Sequence, residues 1–164
     1  MSRLFVAVWP PPDVVDGLRP AVVPGEPNVR WVPPEQWHVT LRFLGDADPA
    51  DVADALRDAT LPAAVAVLGP HVSRLGRFVV VVPVAGLDDL AAAVTGATAA
   101  LGEPPDPRGF TGHLTIARLK QRGACRVTGT PARSRFPVDE VSLVASRTGA
   151  DGVIYEVLER FALQ

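Results

Sequence analysis

One four-residue pattern occurs twice in this chain of 164 residues. His38-Val39-Thr40-Leu41 and His113-Leu114-Thr115-Ile116 both read histidine, apolar, threonine, apolar, and an arginine follows each, Arg42 and Arg118. Each copy lies in a segment whose alternation predicts a strand. Successive strand side chains point to opposite faces, so each histidine shares a face with its threonine, about 7 Å along the backbone. Val39, Leu41, Leu114 and Ile116 then point the other way, into a core. Two such strands imply two similar lobes that bring two imidazoles and two hydroxyls together across a cleft.

The rest of the chain supports that architecture. Residues 4–9 read as a buried strand closed by Pro10-Pro11-Pro12, and residues 13–22 as a short helix weakened by Gly17 and Pro20. Short strands are expected at 29–32 and 37–43, then a helix at 49–59 with Asp48 as its cap and Pro49 in its first turn. Residues 63–75 and 78–84 form two strands around Gly76-Arg77, the second valine-rich and buried on both faces. A helix at 87–101 stops at Gly102, a proline- and glycine-rich loop leads to the strand 113–118, and a hairpin of 138–146 and 153–161 closes the chain. The predicted class is α+β with mainly antiparallel pairing, residues 1–164 forming one domain of two interleaved lobes.

Composition narrows the function. A hydrophobic fraction of 48% and a charged fraction of 21% fit a folded globular protein, and no apolar run approaches the ~20 residues of a membrane span. Residues 1–10 read as the start of a strand, not as a signal peptide. Cys125 is the only cysteine, which excludes an internal disulfide and a cysteine zinc site and suits a cytoplasmic protein. The net charge of −2 argues against nucleic-acid binding by the whole surface. Residues 108–135, however, carry six arginines and Lys120 with no acidic residue, a local basic stretch around His113.

Paired imidazoles suit cyclic phosphodiester hydrolysis. A neutral histidine takes a proton from the attacking water while a protonated one gives a proton to the leaving ribose oxygen, and an ordinary histidine pKa of ~6.5 serves both tasks. Threonine hydroxyls donate to the non-bridging oxygens, where charge builds up. The scheme needs no cofactor, and two histidines without a nearby carboxylate make a poor zinc site. Arg42 alternates onto the face of His38 and Thr40 and is a candidate phosphate contact. Arg118 has the opposite parity in a regular strand and needs a bulge or the strand's end to reach the cleft. Phe43 is equally a base-stacking platform or a core aromatic. His71, with no threonine at the motif spacing, reads as structural or exposed; Trp9, Trp31 and Trp37 read as packing residues, and Tyr155 as a core residue with the groove as its alternative place.

These residues resemble the 2H phosphoesterase superfamily, defined by two His-x-Thr/Ser-x motifs. The closer resemblance is to the bacterial and archaeal RNA 2′,3′-cyclic phosphodiesterases, historically called 2′-5′ RNA ligases and LigT-like. It runs over nearly the whole chain: Arg3 to Val8, the segment from Arg30 through His38 to Gly45, Gly112 to Arg118, Val141-Ser142-Leu143, Ser146, and Gly152 to Tyr155. The resemblance implies a bilobal α+β fold with the motifs lining the groove. It implies that His38 and His113 are catalytic, His113 the base and His38 the acid, and that Thr40 and Thr115 hold the phosphate. The implied product is a terminal 2′-phosphate, with reversible, ATP-independent 2′-5′ ligation as related chemistry. The expected partners are RNA ends, tRNA fragments among them, or cyclic nucleotides; no membrane is expected, and a monomer is the default. The chain departs from the family pattern before the second motif, where Thr111-Gly112 replaces a basic residue and proline. Competing readings are a non-catalytic RNA-end or nucleotide-binding module of the same fold, or a phosphodiesterase for another cyclic or 2′-5′-linked nucleotide or ADP-ribose cyclic phosphate.

Overall fold

The computed structural model describes residues 3–164; the reading of Met1 and Ser2 as leading into a first strand lies outside the described residues. Among the described residues, ten strands form two antiparallel sheets. The first has the order β10 (Gly152–Ala162), β9 (Glu140–Gly149), β1 (Arg3–Val8), β3 (Val39–Gly45). The second has the order β2 (Val29–Trp31), β7 (His113–Leu119), β6 (Val79–Ala85), β4 (Ala64–Leu68), β8 (Ser134–Val138), with β5 (Ser73–Leu75) also paired to β6. The helices are α1 (Pro12–Leu18), α2 (Pro49–Asp58) and α3 (Asp88–Thr98). The α+β class and the antiparallel pairing match the sequence expectation.

The helix signals act locally as expected. Asp48 accepts a hydrogen bond from the Ala50 backbone N–H at 2.8 Å, and Pro49 opens α2 without losing a needed donor. A 3-10 turn, Arg19–Ala21, follows α1, as the Gly17 and Pro20 interruptions anticipate. Val80, Val81 and Val82 of β6 are all buried, so both faces of that strand are covered.

Two expectations fail. The strand expected over 63–75 is β4 and β5, divided at Gly69-Pro70. There Gly69 has φ +100° and the chain passes so close to the Ala132 carbonyl that no Cβ fits. The strand expected to begin at 138 starts instead at Glu140, and β8 ends at Val138 after a separate run that the alternation did not reveal. β8 ends the path of its sheet, paired only with β4, and such an edge tolerates Pro137.

Strand β1 sorts its residues to two sides. Leu4, Val6 and Val8 enter the main core with Leu44, Leu56 of α2, and Leu90 and Val94 of α3. Phe5 and Ala7 join Val144 in a second apolar cluster, against which Trp9, Tyr155 and Val157 pack. Phe5 and Tyr155 of that second cluster also wall a groove.

The two motif strands share one irregularity. On β1, Val6 opposes Arg42 and the adjacent Ala7 opposes Thr40, so Leu41 is an extra residue in β3. On β6, Val80 opposes Ala117 and Val81 opposes Thr115, so Ile116 is an extra residue in β7. Each bulge falls at the fourth residue of its motif and reverses the facing of the residues beyond it.

Candidate active site

A groove of about 700 Å³ contains His38, Thr40, His113 and Thr115, brought together from the two sheets. Phe43 and Arg118 line it as well, and Arg42 does not. The bulges explain all three placements. Past Leu41, the inward position falls on Phe43; past Ile116, it falls on Arg118.

The expectation that Arg42 faces the motif side is therefore corrected. Arg42 is 5% exposed and donates to the Phe43, Leu101 and Glu103 carbonyls at 2.9, 3.0 and 2.8 Å. It also donates to the Thr98 carbonyl and hydroxyl at 3.3 and 3.4 Å. It thus satisfies the Leu101 and Glu103 carbonyls of the turn that follows α3, at the helix end where the dipole favours a cation.

The two imidazoles are oriented alike. His38 donates Nδ1–H to the Gln36 carbonyl and His113 donates Nδ1–H to the Thr111 carbonyl, each at 2.7 Å. A carbonyl only accepts, so the tautomer follows: Nε2 is left in both rings to exchange protons. In His38, Nε2 lies 3.1 Å from the Thr40 hydroxyl. The replaced lead-in Thr111-Gly112 keeps this orientation, because the acceptor at 111 is backbone. At 112 the backbone runs against the Val84 carbonyl, where a Cβ does not fit.

The environments of the rings differ. His38 sits among Phe5, Trp9 and Tyr155, with ring centroids at 5.0, 5.3 and 5.3 Å. Burial there pushes its pKa below the usual histidine value against the opposing Gln36 hydrogen bond, and the nearby His113 and Arg118 add smaller effects in the same direction as burial. Burial likewise raises the Tyr155 phenol.

Sequence reasoning missed several groove residues. Phe5, Ser146 and Arg30 line the groove, and Tyr155, for which the groove was the alternative to a core place, lines it and packs on His38. The signal for Phe5 was present: residues 5, 7 and 9 are apolar on the face opposite Leu4, Val6 and Val8, which marks a strand covered on both sides. Gln36 adds a tie, its Nε2 donating to the Val153 carbonyl at 2.8 Å and holding the β9–β10 hairpin to the segment that precedes His38. Phe43 is 41% exposed, with the Arg3 guanidinium 4.9 Å from its centroid. Trp37 is a packing residue, 1% exposed, its indole N–H donating to the Val32 carbonyl. His71 is exposed. The basic stretch 108–135 does not converge on the groove: Arg118 alone of its charged residues lines it, and Arg108 pairs with Asp106 at 3.0 Å. Among the described residues, no three or more His, Cys, Asp or Glu side chains cluster in a way that could hold a metal, and no helix is long and apolar enough to cross a membrane.

With this geometry in place, the chain can be set beside known proteins. The LigT like Phosphoesterase model matches residues 8–68, which include the first motif. A Thermus thermophilus protein named RNA 2′,3′-cyclic phosphodiesterase is 32% identical over 180 residues, 99% of this chain and 90% of that protein. A crystal structure from Thermus thermophilus superposes with a TM-score of 0.78 at 30% identity, covering 98% of this chain and 97% of that one. Escherichia coli LigT complexed with 3′-AMP superposes with a TM-score of 0.80 at 25% identity, covering 99% and 98%.

Proposed function

The chain belongs to the LigT-like RNA 2′,3′-cyclic phosphodiesterase family of 2H phosphoesterases, and from that premise we propose that it opens 2′,3′-cyclic phosphates at RNA ends to leave a 2′-phosphate. The observation that carries this reading is the matched pinning of two imidazoles in one groove, each with Nδ1–H on a carbonyl two residues upstream.

The chemistry proceeds by in-line attack. His113 Nε2 takes a proton from water as the water oxygen bonds to phosphorus; the bond from phosphorus to O3′ breaks; His38 Nε2–H protonates O3′. The Thr40 and Thr115 hydroxyls donate to the non-bridging oxygens. Because burial disfavours the imidazolium of His38, the acid role requires the bound phosphate anion to restore its proton affinity. The same steps with a ribose hydroxyl in place of water form a 2′-5′ linkage, and their reversal, with O3′ attacking phosphorus and the ribose hydroxyl leaving, restores the cyclic phosphate. Phe43 offers the ring face away from Arg3 to a base, and Arg118 offers its guanidinium to phosphate. The protein acts as a cytoplasmic monomer. The occurrence of a 3′-AMP complex of the E. coli relative supports a nucleotide end as the ligand.

The test is incubation with cyclic-phosphate-ended RNA in EDTA, with the product's phosphate located by NMR. A 2′-phosphate is expected, and His38→Ala or His113→Ala should each slow turnover by about 10²–10⁴. Dependence on added metal, or full activity in either variant, overturns the proposal.

A further inference from the structure

The second sheet carries no acidic residue. Its six strands hold Arg30, Arg74, Arg118 and Arg135 and neither aspartate nor glutamate, in a chain whose net charge is −2. The acids nearest in sequence, Asp88 and Asp139, lie beyond the ends of β6 and β8. Strand register shows which side chains of this sheet continue from the groove. Pro83 stands opposite His113; two residues on, Ala85 stands opposite Val67, which in turn stands opposite Arg135. Val65 stands opposite Pro137. Paired residues share a face, and alternate residues return to it. The face that carries His113 therefore runs on across β6 and β4 to Arg135 on the outer strand β8.

This extension is uncovered and apolar. Val65 and Val67 are 40% and 44% exposed, and Ala85, Pro137 and Arg135 are exposed too, whereas Ala66, Leu68, Phe136 and Val138 of the opposite face fill the core. An antiparallel sheet with one face in water ordinarily turns polar residues outward. A contiguous apolar strip with a polar border marks an interaction surface. Arg135 makes no ion pair or side-chain hydrogen bond among the described residues, whereas Arg3, Arg57 and Arg108 pair with Glu103, Glu159 and Asp106. Three strands and two residues separate Arg135 from His113, roughly 16 Å at strand spacing. The strip thus lies outside the groove and apart from the reacting phosphate.

We infer that this sheet face is a track for single-stranded RNA, which holds nucleotides that precede the cyclic end. Unpaired bases have apolar faces to lay on Val65 and Val67, and the backbone that links them has phosphates for Arg135. A duplex offers phosphate and ribose but keeps its base faces stacked inside. Valines and a phosphate-binding arginine read no base edge, so the track is indifferent to sequence. The substrate class is thereby a single-stranded oligonucleotide end, an inference that rests on the proposed function for the groove.

The test compares adenosine 2′,3′-cyclic phosphate with hexa-adenylate ending in a 2′,3′-cyclic phosphate. The wild type should show the lower KM for the hexamer. Arg135→Glu and, independently, Val67→Glu should each raise the hexamer KM about tenfold. Both should leave the mononucleotide KM and the two kcat values within about twofold, which also reports that the variants are folded. Arg135→Gln should lower the slope of log KM against log salt for the hexamer by about 0.7, the share of one phosphate contact on a single strand. Equal rises in KM on the two substrates, or no rise with the hexamer, overturn the track. If the wild type turns over neither compound, the parent reading fails, and the track is judged by fluorescence anisotropy of 5′-labelled hexa-adenylate. Binding weakened about tenfold by Arg135→Glu then upholds it. Binding that is absent, or that Arg135→Glu leaves unchanged, overturns it.

Discussion

Phe43 and Arg118 occupy the same step of their strands, each the first groove-facing residue beyond a His-x-Thr motif, because Leu41 and Ile116 are extra residues in the pairing of β3 with β1 and of β7 with β6. Without those bulges the inward positions would fall on Arg42 and Ala117. The groove thus gains a ring from one strand and a cation from the other, although the two motifs are otherwise alike.

Phe43→Ala should raise KM for a cyclic nucleotide by about tenfold, since stacking a base on an aromatic ring contributes ~1–3 kcal/mol. Inhibition by inorganic phosphate, which has no base, should stay within twofold. Steady-state kinetics with both compounds checks this; a matching loss of phosphate inhibition would show that the ring supports the catalytic groups instead.

Arg42→Met should act on stability. The substitution leaves the Leu101 and Glu103 carbonyls without their buried donor, at a cost of about 3 kcal/mol. Urea unfolding should show a clearly lower midpoint. For protein that remains folded, KM should be close to that of the wild type; a large KM increase with an unchanged midpoint would return Arg42 to the substrate.

The depressed pKa of His38 has a defined consequence for stability. The unfolded chain binds a proton near pH 6.5 and the folded chain only at lower pH, so the neutral ring's contribution is complete above pH 6.5. It is lost as pH falls from there through the folded-state value. The urea midpoint of the wild type relative to His38→Gln should therefore be more favourable at pH 7.5 than at pH 5. The same histidine, followed by NMR, should titrate below 6.5 in the free protein and move upward on adding inorganic phosphate. A titration unmoved by phosphate would remove His38 from the anion's surroundings.

Gln36→Ala removes the donor to the Val153 carbonyl. The bond is exposed, so stability should fall by about 1 kcal/mol or less. The larger effect should be on the β9–β10 hairpin: amide exchange near Gly152 should speed up, and KM should rise several-fold while the His38 tautomer, set by the residue 36 carbonyl, is retained.

The legible part of the molecule was whatever has a period or a cap. The paired motifs, the Asp48 cap, the valine-rich β6 and the closing hairpin all announce themselves. The bulges do not, because Leu41 and Ile116 are ordinary strand formers and an unpaired extra residue leaves no mark on composition. Strict alternation accordingly misplaced Arg42 and made Arg118 conditional on an irregularity that β7 has. Tyr155 and Phe5 read as core because an apolar groove wall and an apolar interior present the same pattern. Arg30 was passed over because its place beside Arg118 in the groove lining is set by strand pairing and not by sequence distance.

The groove is asymmetric although its two motifs are alike. A ring on β3 and a guanidinium on β7, at corresponding steps of their strands, present different chemistry to whatever lies between them, so the two motif strands are not interchangeable in the contacts they offer.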